Sequence, residues 1–314
     1  MEGGTVISLG QVIVDLTMSV EKIPRPGEDV FADKAGTRVG ASYNTLHAVR
    51  QMGVGAWHAG ILGTGPWADM IRAVFDGEGI RHIGPDNADR DSGFCVALTD
   101  DTAERTFIST RGAEAYGDGD TFRDVDPAGG DIVHISGYTF AHRTGEGLRA
   151  FMRRTAAGRN FAAVFDPSPV VARIDDETFD EVVGYRPIWS CNERETTLIA
   201  KRLGLPVGRV SFRILVERMA RLLDSTLIVR VGKDGAWLVR PGEDAELVPG
   251  FPAHAIDTNG AGDCHAGVLC AELSRGTALR EAVRTANAAA SIAVTRRGPA
   301  TCPTRKEVGE LLSA

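Results

Sequence analysis

One stretch of the sequence combines small residues and acids in an order that suits phosphate chemistry. Residues 257–263 read Asp-Thr-Asn-Gly-Ala-Gly-Asp, and apolar residues at helical spacing follow them. The first turn of a helix leaves N–H groups free, and these carry the positive end of the helix dipole. Because Gly260, Ala261 and Gly262 have little or no side chain, an anion could reach those N–H groups. The pattern therefore predicts a binding site for a phosphate, or for a developing anion, at a helix N-terminus.

Asp263 lies at the edge of this predicted anion site. A carboxylate beside an anion is electrostatically unfavourable, so stability alone does not explain its presence. We interpret Asp263 as a general base that takes the proton of a hydroxyl group next to a phosphoryl-binding loop. The alternative is an aspartate that caps the helix after an ordinary loop.

The composition is typical of a soluble globular protein with one large α/β domain or two ordinary ones. The chain has 314 residues, of which 43% are hydrophobic and 25% are charged. A net charge of −7 argues against nucleic acid as the main partner, because such binding requires a basic face. No apolar run approaches the ~18 residues of a membrane span, and the N-terminus shows no signal peptide. The five cysteines are scattered without a Cys-x-x-Cys pair, so we expect reduced thiols and a cytoplasmic location.

From residue 131 onward, continuously apolar segments alternate with amphipathic ones. This alternation predicts a parallel sheet covered by helices on both faces. The predicted strands are 132–136, 162–165, 187–190 and 227–231, and the predicted helices are 145–157, 193–203 and 211–223. An alanine-rich helix over 282–294 is expected to pack closely against the helix that follows Asp263.

The N-terminal region combines a predicted strand with an acid and an amide that could hold a polar ligand. Residues 5–16 form a β-branched run that bends at Gly10, with Asp15 near its far end. Asn44 closes the sequence Val-Gly-Ala-Ser-Tyr-Asn, residues 39–44, where a helix is predicted to begin. An acid and an amide offer an acceptor and a donor to a pair of hydroxyls. The alternative role for Asn44 is that of a simple helix cap.

Two further pairs of residues could serve a nucleotide. Neither a P-loop nor a dinucleotide-binding glycine motif occurs, which favours residues 260–263 as the phosphate site. Gly232 and Gly235 permit a tight turn with close backbone approach, although a plain hairpin fits them as well. Asn192 and Glu195 place oxygen ligands at i and i+3 on a helix's first turn, which suits Mg²⁺ held through water. A capping box fits these two residues equally well.

Taken in order, these motifs resemble those of the ribokinase-like (PfkB) sugar and nucleoside kinases. The resemblance extends from Asp15 to Cys302 and is carried mainly by residues 257–263. It implies an α/β protein with a three-layer α/β/α sandwich, a mostly parallel central sheet and a small β-sheet lid. Residues 92–98 and 105–110, which alternate like a half-exposed hairpin, fit part of that lid.

The resemblance also implies one domain and a set of functional residues. The domain would span residues 1–314, with the lid built from about residues 12–40 and 92–111 inserted in the core. The sugar would be bound by Asp15, Gly40, Asn44 and Asp263, although Val39 replaces the first glycine of the family's Gly-Gly pair. The catalytic set would be Asp263 with Gly260, Ala261 and Gly262, and the nucleotide would contact Asn192, Gly232, Gly235, Gly260, Gly262 and Asn287.

Two cations follow from the same resemblance. Mg²⁺ would be organised through water by Asn192 and Glu195. A monovalent cation such as K⁺, which not every member of the family binds, would be ringed by carbonyls and side chains of two loops. Those residues are Asp257, Asn259, Ala293, Arg296, Gly298 and Cys302.

The function implied is transfer of the γ-phosphoryl group of ATP to a sugar hydroxyl. A nucleoside kinase is the alternative within the same fold, with Phe107 and Tyr138 as candidates for a slot that holds the base. Arg105 and Arg111 leave a phosphorylated sugar open as the acceptor. A non-catalytic sensor would be expected to lose Asp263, and an NAD-dependent oxidoreductase lacks its glycine motif. A lid sheet with unpaired edges would favour pairing into a homodimer.

Overall fold

The computed structural model describes residues 3–102 and 104–314. Within these ranges the chain forms thirteen strands and nine α-helices. The strands are β1 Val6–Ser8, β2 Val12–Ser19, β3 Lys34–Ala41, β4 Ala56–His58, β5 Arg81–His82, β6 Phe94–Thr99, β7 Arg105–Ser109, β8 Ile132–Ser136, β9 Ala162–Asp166, β10 Ile188–Asn192, β11 Leu227–Arg230, β12 Gly235–Val239 and β13 Glu246–Pro249. The helices are α1 Ser42–Gln51, α2 Pro66–Glu78, α3 Gly145–Ala156, α4 Asp176–Tyr185, α5 Glu193–Arg202, α6 Phe212–Leu223, α7 Ala261–Ser274, α8 Leu279–Ala293 and α9 Arg305–Ser313.

The larger sheet has nine strands in the order β13-β12-β11-β10-β9-β8-β1-β4-β5. All neighbouring pairs from β11 to β5 run parallel, and only β12 and β13 are antiparallel to their neighbours. One face packs against α1, α2, α7, α8 and α9, and the other against α3, α4, α5 and α6. The predicted three-layer α/β/α sandwich with a mostly parallel sheet is therefore confirmed.

The N-terminal run switches between two sheets at Gly10. A Cβ atom on Gly10 would stand 1.9 Å from the Ser42 side-chain oxygen, so only glycine fits where the chain passes α1. After this point the chain leaves the large sheet and enters a second sheet at β2. Because β2 continues to Ser19, Asp15 lies in the middle of a strand, and its predicted position near a strand end is wrong.

The second sheet is the expected small lid. Its four strands run in the order β3-β2-β6-β7, and they are drawn from residues 12–41 and 94–109. Asp15 is paired with Arg38 on β3 and with Cys95 on β6, so these three side chains share one face of the lid. The opposite face buries Val14 and Val39 in the core of the molecule.

Helix α7 connects the predicted phosphate site to the core. It begins after Gly260, as the sequence predicts, and packs between α1 and α8. Its small residues permit that close packing: a Cβ atom on Gly267 would lie 2.4 Å from the Thr45 carbonyl oxygen on α1. Among the described residues, no helix is long and apolar enough to span a membrane.

Candidate active site

Asp263 and Asn44 meet although 219 residues separate them in the sequence. The Asn44 side-chain amide on α1 donates a hydrogen bond of 2.9 Å to Oδ2 of Asp263, in the first turn of α7. Burial raises the pKa of Asp263 to about 7, and the negative charge of Asp166 adds to this effect. Near neutral pH the carboxyl group therefore exchanges its proton readily, as a general base requires.

Asp15 faces the same region from the lid. Burial raises the pKa of its carboxyl group to about 6. A Cβ atom on Gly40 would lie only 2.1 Å from Asp15 Oδ2, so Gly40 makes room for this carboxylate. Within the described part of the chain, the buried Oδ1 atom of Asn44 has no hydrogen-bond partner. Asp15 and Asn44 thus provide acceptors for hydroxyl groups beside Asp263, and Gly40 leaves the space for the Asp15 carboxylate.

The first turn of α7 offers free donors, as predicted. Gly260 adopts a positive φ of 73°, and a Cβ atom there would lie 2.0 Å from the Pro299 carbonyl oxygen. The Ala261 N–H group donates to the Thr258 carbonyl. In residues 3–102 and 104–314, by contrast, no protein acceptor receives the N–H groups of Gly262 or Asp263. These two amides can therefore bind an anion.

A cavity of about 600 Å³ opens beside this turn. It brings together all but one of the predicted nucleotide-binding residues, the exception being Gly260. Its lining includes Asn192, Gly232, Gly235, Gly262, Asn287, Arg230, His265 and the exposed Lys233. The Asn287 amide nitrogen already donates to the Val248 and Pro249 carbonyls, at 3.0 and 3.1 Å, so this residue also ties α8 to β13.

Asn192 and Glu195 form the capping box that the sequence allowed. The Glu195 amide donates to Asn192 Oδ1 and the Asn192 amide donates to Glu195 Oε2, each at 2.9 Å. Burial, followed by the charge of Asp166, raises the pKa of Glu195. The described residues contain no group of three or more His, Cys, Asp or Glu side chains able to hold a metal directly.

Two residues of this site were not singled out from the sequence, Asp166 and Arg230. Asp166 ends β9, Asn192 ends β10 and Arg230 ends β11, and these strands are neighbours in the sheet. Side chains at the carboxyl ends of neighbouring parallel strands meet at one edge, where α/β proteins bind ligands. A polar residue that ends an apolar strand run is the signal that could have identified both.

Some of the residues predicted to ring a monovalent cation are in contact with one another, and several of their polar atoms bind protein groups. Asp257 Oδ1 accepts from the Arg105 guanidinium at 2.9 Å and from the Asn259 amide at 3.0 Å, while Oδ2 accepts from the Gly298 amide at 3.0 Å. The Ala293 carbonyl accepts from the Arg296 amide, and the Cys302 thiol donates to the Pro303 carbonyl.

The other residues considered for acceptor binding have mixed surroundings. Burial raises the pKa of the Tyr138 hydroxyl, and the charges of Asp166, Glu195 and Asp263 add to this effect. Tyr138 therefore lies close enough to these acids to feel their charge. Phe107 is 61% exposed on the lid. Arg105 is paired with Asp257 across the lid boundary, and Arg111 is exposed.

Comparison with known proteins agrees with this geometry over almost the whole chain. Residues 4–306 match the pfkB family carbohydrate kinase description. The chain is 32% identical to the uncharacterized sugar kinase YegV of Escherichia coli K12, over 97% of this chain and 92% of that protein. It is 27% identical to an ATP-dependent ribose-1-phosphate kinase of Halopiger xanaduensis, over 98% of each chain.

Solved structures show the same similarity in three dimensions. A ribokinase from Thermotoga maritima superposes with a TM-score of 0.82 at 25% identity, covering 99% of this chain and all of that one. The chain therefore belongs to the PfkB family of carbohydrate kinases, which are ATP-dependent phosphotransferases with an alcohol group as acceptor.

Proposed function

We propose that this protein transfers the γ-phosphoryl group of ATP to a hydroxyl group of a sugar, with Asp263 as the catalytic base. The observation that carries this proposal is the hydrogen-bonded pair of Asn44 and Asp263 beside the free amides of α7. This arrangement would bring a base, hydroxyl-binding groups and an anion site close together, beside the cavity that Gly262 helps to line.

In the proposed reaction, the sugar is held by Asp15, by Asn44 and by the space that Gly40 leaves. Asp263 accepts the hydroxyl proton while the hydroxyl oxygen forms a bond to the γ-phosphorus. The bond from that phosphorus to the bridging oxygen breaks, and its electron pair leaves with ADP. The N–H groups of Gly262 and Asp263 stabilise the negative charge on the transferring group.

A magnesium ion fits the site as one held through water. Burial is the main cause of the raised pKa of both Glu195 and Asp263, and the charge of Asp166 adds to it, so these acids lie close enough for a cation to relieve their repulsion. Since Glu195 Oε2 accepts the Asn192 amide, Oε1 is the oxygen available to a metal-bound water. When bound, magnesium would neutralise phosphate charge. The protein's own part is to hold Glu195 in place through the capping box.

A monovalent cation beside Asp257 remains part of the proposal. The ring would be formed by carbonyls of residues 293–302, with Asp257 and Asn259. Because the Asp257 carboxylate accepts three protein hydrogen bonds, we expect the cation to be bound mainly by carbonyl oxygens. Higher activity in potassium chloride than in choline chloride, at constant ionic strength, would support this site. Equal activity in both salts would contradict it.

A single domain in the cytoplasm that forms dimers through the lid completes the proposal. Phe107 and Ile108, on opposite faces of the edge strand β7, are each 61% exposed. Exposed apolar side chains on an edge strand favour pairing with a second sheet. We expect the purified protein to have the mass of a dimer in light scattering, and Ile108→Lys to reduce that mass.

The acceptor class is tested by a coupled assay with ATP over pentoses, hexoses, their phosphates and nucleosides. We expect turnover with an unphosphorylated sugar, because Arg105 is paired with Asp257 and the exposed Phe107 forms no closed slot for a base. Turnover with nucleosides alone would show that the acceptor is a nucleoside and not a sugar. Binding of a sugar without ATP consumption would indicate a sensor instead.

A further inference from the structure

Arg230 is a cation in the lining of the cavity, beside the first turn of α7. It ends β11, and its side chain is only 13% exposed. Ile228, two residues earlier on the same face of the strand, packs in the cluster that contains α7 and α8. The Arg230 side chain therefore extends from the strand end towards α7 and lines the cavity.

The guanidinium lies directly beside the free first turn of α7. Its Nη2, Cζ and Nε atoms are 3.6, 3.7 and 3.8 Å from the point where a Cβ atom on Gly262 would stand. Since the Gly262 N–H group has no protein acceptor in the described part of the chain, two kinds of donor lie side by side there. Such a pair suits a group with several anionic oxygens.

Protein acceptors use only some of the hydrogen-bond donors of this guanidinium. Nη1 donates to the Ser190 hydroxyl at 2.6 Å. The nearest carboxylate oxygens, Glu195 Oε2 and Asp166 Oδ2, lie 3.7 and 3.9 Å from Nη2, beyond normal hydrogen-bonding distance. Among the residues that the structure describes, Ser190 supplies the only acceptor within that distance. A buried cation with unused donors is costly unless a ligand supplies the missing acceptors.

We infer that Arg230 is a catalytic residue that binds the phosphoryl oxygens of ATP and ADP and stabilises the charge that develops on the leaving diphosphate. As the bond between the γ-phosphorus and the bridging oxygen breaks, the electron pair moves to the β-phosphate. A fixed guanidinium beside that oxygen lowers the energy of the separating charges. The inference rests on the proposed kinase reaction and adds a cation from the protein to it.

The test compares Arg230→Met, Arg230→Lys and Arg240→Met by calorimetry with ADP and with AMP, in EDTA so that no metal contributes. Arg240 is the matched control, because it is an arginine at the opposite end of the β11–β12 pair, its side chain is 42% exposed, and it does not line the cavity. We expect Arg230→Met to weaken ADP binding by about tenfold or more, as for lost bonds to a charged group. AMP has no β-phosphate, so its affinity should change less than about twofold. Arg230→Lys keeps the charge between Asp166 and Glu195 and should recover part of the ADP affinity.

Steady-state kinetics on the same variants complete the test. We expect kcat of Arg230→Met to fall by about 10²-fold, the usual effect of removing one transition-state donor. Arg240→Met, outside the cavity, should stay near wild type. The inference would be overturned by equal changes in ADP and AMP affinity, or by a kcat close to wild type in both Arg230 variants. Either result would show that Arg230 serves only as a counter-ion of Asp166 and Glu195. Because nucleotide binding needs no acceptor, this failure is distinguishable from failure of the proposed sugar reaction.

Discussion

At the scale of single residues, Asp263 is a buried carboxyl group with a raised pKa, and these two properties rarely serve stability. Its folded-state pKa of about 7 lies above the ordinary value of 3.8, because burial disfavours the charged form. The folded protein therefore binds the proton more tightly than the unfolded chain. This contribution to stability is full below pH ~4 and is lost as the pH rises through ~7. The ionised form that can act as a base is thus maintained at a cost in stability.

Asp263→Asn should separate the base from a helix cap. The amide is nearly isosteric and still accepts the Asn44 hydrogen bond, but it takes up no proton at neutral pH. We expect kcat to fall by about 10²–10⁴-fold, with KM values changed only a few-fold. At pH 8 the melting temperature should rise, because an uncharged group replaces a buried carboxylate. The wild-type kcat should increase through pH ~7.

The outcome that contradicts the base assignment is a lower melting temperature with near-normal kcat. Loss of a cap costs about 1 kcal/mol of stability and leaves the chemistry intact. Asp120→Asn, an exposed aspartate outside the cleft, serves as the control for charge removal.

Asp15 and Asn44 should control acceptor affinity rather than nucleotide affinity. Asp15→Ala or Asn44→Ala removes a partner of a buried hydroxyl, which costs about 1–3 kcal/mol. We expect the sugar KM to rise by about tenfold or more, with the ATP KM nearly unchanged. Thr17→Ala, two residues along β2 on the same face as Asp15, is the matched control. A sugar KM equal to that of the wild type in both variants would show that the sugar binds elsewhere.

Gly40 tests the same pocket through its shape. In Gly40→Ala the new methyl group would stand 2.1 Å from Asp15 Oδ2, so the carboxylate must move. The sugar KM should therefore rise as it does in Asp15→Ala. Gly36→Ala in the same strand places its Cβ atom 3.3 Å from the Thr17 hydroxyl, a tight contact outside the pocket. Equal kinetics in the two alanine variants would show that the carboxylate position does not matter.

At the scale of elements, the sequence predicts the strands and helices well but not which of them are neighbours. Apolar runs of four or five residues identify β8, β9, β10 and β11, because strands buried on both faces need no alternation. The order of those strands in the sheet is not encoded in any one run, so the meeting of Asp166, Glu195 and Arg230 could not be anticipated. The predicted position of Asp15 near a strand end is wrong for a related reason. A bend at Gly10 does not reveal that the chain changes sheets there and begins a new strand, β2.

The capping box at the start of α5 has a structural role and a proposed chemical one, and Glu195→Gln should distinguish them. Glutamine still accepts the Asn192 amide, so the melting temperature should change little. The charge near the phosphates is lost, so the Mg²⁺ concentration for half-maximal activity should increase. Glu307→Gln in the equivalent capping box of α9 provides the control. An unchanged magnesium titration would leave Glu195 with the structural role alone.

At the scale of the whole molecule, the lid and the core meet at the loop that carries the proposed phosphate site. Arg105 on β7 donates to Asp257 at 2.9 Å, and Asp257 also receives the amides of Asn259 and Gly298. Hydrogen bonds from those amides and the Arg105 charge lower the pKa of Asp257 despite its burial, so the pair stays charged at neutral pH. The lid is thus attached to the segment that begins α7, and its position is linked to the anion site.

Arg105→Gln should therefore affect the reaction more than the fold. A partly exposed ion pair contributes about 0–1 kcal/mol, so the melting temperature should hardly change. A lid that closes less often would admit water to the transferring phosphoryl group and release the sugar sooner. We expect ATP hydrolysis without sugar to increase and kcat/KM for the sugar to fall by a few-fold. High salt should produce the same changes in the wild type, because it screens exposed charges. Arg123→Gln, which breaks an exposed ion pair with Asp120 outside the strands of the lid, is the control. Identical kinetics in both variants would show that the contact does not help to close the lid.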